Sequence, residues 1–105
     1  DFPCQTVTNG QQIDLGDVSL QFLSAPFLHW PDSMFAYIPE SRVLFSGDVL
    51  GCHYCDGRVF NDLVPVDLVT AQKYYFNVIM SPFKTYMLEA IDKICAVDMV
   101  LFCAI

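Results

Sequence analysis

The residues able to do metal chemistry lie in two short runs. The first, Leu28-His29-Trp30-Pro31-Asp32-Ser33, presents a histidine beside an aromatic ring and a proline. The second, Val43-Leu44-Phe45-Ser46-Gly47-Asp48, is an apolar run that ends in a carboxylate. Neutral imidazole and carboxylate are the nitrogen and oxygen donors that hold zinc or iron, and strand ends on loops are where such donors can converge. A blander reading is also open and is the commoner use of such residues: a His and an Asp that close turns between strands and bind nothing. Trp30 and Asp32, on the loop of His29, and His53, five residues past Asp48, are candidates to line a pocket or orient a ligand. For His53 a metal ligand and a solvated surface position are the alternatives.

The elements that must position these residues can be read from pattern and punctuation. Val18 to Phe22 alternates apolar with polar side chains, so one face is buried and the other wet. Ala25-Pro26 ends that strand, because proline has no N–H to pair. Phe27 to Ser33 is then the loop of His29, stiffened by Trp30-Pro31. A stiff loop loses less entropy when it holds a ligand. Met34 to Ile38 and Arg42 to Phe45 read as strands joined by Pro39-Glu40-Ser41, and Ser46-Gly47-Asp48 turns. Gly47 would reach φ values closed to other residues or let backbone approach a metal.

Upstream, Asn9-Gly10 predicts a tight hairpin turn within Thr6 to Leu15, and Gly16-Asp17 a second turn. Val49 to Val66 is irregular and would shape access to a site. Asp67 is placed to cap a helix whose inner face is Leu68, Ala71, Tyr74, Tyr75, Val78 and Ile79, the tyrosines being read as core. Ser81-Pro82 predicts a fresh helix start, with Phe83, Met87, Ala90, Ile91 and Ile94 inward and a Glu89–Lys93 pair on the wet side. Asp98 to Ala104 reads as a strand covered on both sides.

Composition narrows the function. The chain has 105 residues, 54% of them apolar and 16% charged, with a net charge of −7. That is enough for a core and more apolar than so short a chain needs, so part of the surface is expected to pack against further chain or a partner. Five scattered Lys and Arg make no basic patch, which argues against nucleic acid and anionic membrane surfaces. No apolar run of about 18 residues proposes a membrane span, and no leader begins at Asp1. Five cysteines, an odd number, read as reduced thiols in a cytoplasmic protein. Cys52-His53-Tyr54-Cys55 has redox or zinc-pair spacing, but zinc would need a second pair, so loop thiols are the preferred reading. Cys95 and Cys103 sit among apolar residues and are expected to be buried.

The run LHWPDSM followed by VLFSGDVLGCH resembles the metallo-β-lactamase-like domain of flavodiiron proteins, the A-type flavoproteins. The pieces from His53 to Asp56, Phe60 to Asp62 and Tyr74 to Phe83 are most similar to the anaerobic nitric oxide reductase branch, the flavorubredoxins. Two departures stand out: Cys52 replaces the family's Gln, and Gly47 stands before the Asp where Asn or Ser is usual.

The resemblance implies that His29 binds one iron and Asp48 bridges two. It implies a partial αββα sandwich of α/β class, with a mixed, mostly antiparallel sheet and two helices on one face. Residues 1–105 would be a single partial domain, the C-terminal portion of the diiron domain, without the flavodoxin-like domain that carries FMN. The family's His-x-Glu-x-Asp-His motif would lie upstream and its last His just after Ile105, so this chain alone is expected to be inactive. The implied reaction is reduction of nitric oxide to nitrous oxide or of dioxygen to water. The implied partners are a rubredoxin or rubredoxin-like domain and further copies, in a homodimer or homotetramer. A dizinc hydrolase of the same fold, such as a thioesterase, and a non-catalytic fragment remain open alternatives; the Ser-Gly-Asp form leaves room for the first.

Overall fold

The computed structural model describes residues 2–104; Asp1 and Ile105, and with Ile105 the point where the last His is expected to follow, lie outside them. Five strands form one sheet in chain order: β1 (Gln12–Asp14), β2 (Ser19–Ser24), β3 (Met34–Ile38), β4 (Val43–Gly47) and β5 (Leu101–Ala104). The first four pair antiparallel, and β5 joins β4 in parallel after the helical segment. A parallel neighbour requires such a long crossover, whereas antiparallel strands can be joined by tight turns. The mixed, mostly antiparallel α/β sheet is thus as the sequence implies.

The strand period of two sorts the side chains by face. Phe35 and Tyr37 of β3, Leu44 of β4 and the partly buried Phe102 of β5 point to one side. Two helices cover that side, α1 (Val69–Tyr75) and α2 (Lys84–Ala96), with Tyr75, Met80, Met87, Ala90 and Ile94 completing the core. Each large apolar side chain fully removed from water there contributes about 1.5–3 kcal/mol. On the other side Phe45, between buried Leu44 and Ser46, is 44% exposed.

Several local expectations are corrected. Asn9-Gly10 does form a turn with Gly10 at φ 78°, but it does not join two strands. Asn9 Oδ1 instead accepts from the Ser24 N–H at 2.8 Å, tying the N-terminal segment to β2, and the hairpin closes at Leu15–Val18. Asp67 Oδ1 accepts from the Val69 N–H at 2.9 Å at the start of α1. Ser81-Pro82 do open a new helical stretch, a tight turn (Ser81–Phe83) that leads from the wide turn (Phe76–Met80) into α2, but Ser81 is not its cap. The Ser81 hydroxyl donates back to the Asn77 carbonyl, so it satisfies a preceding acceptor rather than capping a following N–H. Lys93 passes over Glu89 and donates to the Ser24 carbonyl at 2.5 Å, which ties α2 to the end of β2.

Burial also departs from the sequence reading. Tyr74 and Val78 are exposed, while Tyr75, Ile79 and Met80 face the core. Cys95 is exposed and Cys103 only half-buried. β5 is half-buried rather than covered on both sides, since Leu101 and Cys103 lie on the open face.

Candidate metal centre

His29 reaches its position through a loop tied to itself. The Ala25 N–H donates to the Ser33 carbonyl at 2.9 Å and closes the neck. Inside, the Trp30 carbonyl accepts from Phe27 at 2.8 Å and from Ser33 at 3.2 Å, while the Trp30 N–H donates to Ser33 Oγ at 3.2 Å. Leu28 is buried and anchors the loop to the core, and a cis peptide bond joins it to His29. Phe27 takes a left-handed φ of 62° and packs its ring on Tyr86 of α2, with centroids 4.7 Å apart. The imidazole is therefore held from both sides of the loop.

Asp48 follows β4 by one residue. Gly47 has φ 59°, which explains the glycine: a Cβ there would meet nothing within 4 Å, so conformation rather than space requires it. Ser46 is buried, and its Oγ donates to the Val49 carbonyl at 2.8 Å. The Gly51 N–H donates to the Asp48 carbonyl at 3.2 Å. These bonds fold the chain around the carboxylate.

The two loops bring His29 Nε2 and Asp48 Oδ2 to 3.4 Å, with both side chains partly open to solvent. Donors that each stand about 2.0–2.2 Å from one cation, at tetrahedral or octahedral angles, are about 3–3.5 Å from each other. The donor types and their spacing therefore fit two ligands of one ion. Among the described residues no third His, Cys, Asp or Glu joins them in a metal-binding group.

The other sequence candidates divide. Trp30 stacks at a tilt on His29, ring centroids 5.3 Å apart, with most of its surface exposed. His53 is exposed and meets the Tyr75 ring edge-on at 4.9 Å. Asp32 is exposed, and no hydrogen bond or ion pair among the described residues links it to His29 or Asp48.

Tyr75 is core, as the sequence reading has it; what that reading does not show is that it lies near Asp48. Burial first, and then the nearby Asp48 charge, push its phenol above the ordinary tyrosine value, so it keeps its proton at neutral pH. A tyrosine on the inner stripe of a helix is ordinarily core, and nothing in the local pattern distinguishes it. Only the docking of α1 beside the Asp48 loop does so.

The chain belongs to the ODP family of beta-lactamase-like domains: the family's model, described as "ODP family beta lactamase", matches residues 3–103. Among its relatives, the type A flavoprotein fprA of Rhodobacter capsulatus is 49% identical over 92 residues, covering 88% of this chain and 21% of that protein. An anaerobic nitric oxide reductase flavorubredoxin of Vibrio vulnificus is 41% identical over 97 residues, covering 90% of this chain and 20% of that protein. The rubredoxin oxygen:oxidoreductase of Desulfovibrio gigas is similar in structure, with a TM-score of 0.92 and 32% identity over 99% of this chain and 27% of that one. The chain thus spans about a fifth of the length of its sequence relatives.

Proposed function

We propose that this chain supplies part of the dinuclear iron centre of a flavodiiron reductase, with His29 binding one iron and Asp48 bridging both. The carrying observation is the meeting of His29 Nε2 and Asp48 Oδ2 at 3.4 Å on two separately braced loops. Two donors do not close even one site, since an ion takes about three or four protein ligands. The remaining ligands belong to other segments in this reading, one group upstream and a His after Ile105, and residues 1–105 are the C-terminal portion of the diiron domain. By itself the chain binds iron weakly and is inactive.

When bound, the irons together with FMN on a flavodoxin-like domain supply the electrons and the template for reducing two nitric oxide molecules to nitrous oxide, or dioxygen to water. This chain's own residues orient and shield. The Phe27–Ser33 loop fixes the imidazole, and Trp30 screens one side of it from water. Ser46 holds the turn that aims the carboxylate. Tyr75 keeps a proton on its phenol oxygen beside Asp48, and His53 braces the ring of Tyr75. The names of the relatives support a rubredoxin-type electron donor and a small gaseous substrate. No helix among the described residues is long and apolar enough to cross a membrane. A cytoplasmic location and a homodimer or homotetramer are further parts of this reading, taken from the family resemblance.

The test is to produce the protein with its flanking sequence and measure metal, flavin and turnover together. Two irons per chain, FMN and reduction of nitric oxide or dioxygen are the expected result. Zinc in place of iron, with ester hydrolysis, would instead establish the hydrolase reading.

A further inference from the structure

A cavity of about 340 Å³ lies between α1 and the loop after Asp48. Its inner wall is Tyr75, Phe76, Met80 and Met87, with buried Gly51 on the loop side. Val69, Gln72 and Lys73 stand at an exposed rim. The lining is predominantly apolar, and the polar side chains other than Tyr75 are confined to that rim. Tyr75 therefore faces two ways: it walls the cavity, and it touches His53 and lies near Asp48. Gly51, on the other wall, is bonded to the Asp48 backbone.

We infer that this cavity is a reservoir and entry for a small, uncharged, apolar gas on its way to the centre at His29 and Asp48; the inference rests on the function proposed above. The apolar inner wall gives a water molecule few hydrogen-bond partners and favours apolar guests such as xenon. A drug-sized ligand would need several placed polar groups to orient it, and the inner wall offers only one phenol. A diatomic gas needs none, and its transfer from water into apolar surroundings is favourable, so the cavity raises its local concentration. The opening at Val69 and Gln72 gives it a path from solvent.

The test uses the complete protein, with xenon as the probe. Crystals pressurised with xenon should show it bound between Tyr75 and Met80. Val69→Trp and, independently, Gln72→Trp fill the rim from exposed positions and should exclude xenon while leaving the folded spectrum and iron content unchanged. In both variants KM for nitric oxide or dioxygen should rise about fivefold with kcat unchanged, the signature of lost ground-state access. Absence of xenon from the wild-type cavity overturns the inference, as does an unchanged KM in variants that exclude xenon. Xenon binding is read without turnover, so an empty cavity in an active reductase sinks the reservoir alone. A protein that takes up xenon but binds no iron sinks the functional reading, and the delivery role with it.

Discussion

His29 and Asp48 stand farther apart than a charge-assisted hydrogen bond, which closes to about 2.7–2.9 Å. The loops, not mutual attraction, hold them in register. If each is a ligand as proposed, their losses should differ. His29→Ala should leave roughly half the iron in the complete protein, because one ion loses a ligand. Asp48→Ala should leave little of either ion. Elemental analysis of the purified variants reads this directly, and equal full occupancy in both would remove these residues from the centre. Spacing alone left His29 and Asp48 as readily two turn residues as two ligands; the resemblance carried by the HWPDS and Ser-Gly-Asp runs singled them out, and the structure brings the two side chains together, their role as ligands being the proposal. Tyr75 was legible as core, but its nearness to Asp48 and His53 was not, since that depends on a contact made across the sequence between α1 and the loop after β4.

At the scale of elements, β3 and β4 alternate in burial as half-buried strands must, whereas β2, expected from Val18 to Phe22 to have one buried and one wet face, is half-buried at every position. The helical region was less legible. Ser-Pro has the chemistry of a helix start, yet the Asn77 carbonyl took the Ser81 hydroxyl and the chain carried on helically. Ser46 is the side chain on which the Asp48 turn depends. Ser46→Ala leaves the buried Val49 carbonyl without this partner, and the protein should lose about 1–3 kcal/mol in denaturant unfolding, with weaker iron retention. A second tie joins the β3–β4 turn to β2: the Glu40 carboxylate accepts from the Ser19 hydroxyl at 2.8 Å and the Ser19 N–H at 3.1 Å. The Ser19 hydroxyl, foremost among these bonds, holds the Glu40 carboxyl below its ordinary value. A carboxyl whose folded value is depressed adds stability that is present above its unfolded value, about 4.3, and fades as pH falls through the folded one. Ser19→Ala should therefore raise the Glu40 value in an NMR titration and weaken the acid dependence of folding. An unmoved Glu40 resonance would show that the hydroxyl contributes nothing.

For the whole molecule, the sheet has two unlike faces. One is sealed by α1 and α2 over Phe35, Tyr37 and Leu44. Across the other, the pairings set Phe22, Ala36, Phe45 and Cys103 in one row and Ile38, Val43 and Leu101 in the next. The high apolar content of the sequence thus has an address that composition alone could not give. Two-layer packing is how an antiparallel sheet with two apolar faces is ordinarily completed. If the second layer of an αββα sandwich rests here in the complete protein, a charge at its centre has no partner and no water. Phe45→Asp should then cost about 3–5 kcal/mol, the penalty of an uncompensated buried charge, measured by chemical denaturation of the complete protein. On a face left to solvent the same change should stay within about 0.5 kcal/mol. Phe45 makes the test selective: its side chain lies outside the core under the helices, so a large loss can come only from whatever covers the opposite face.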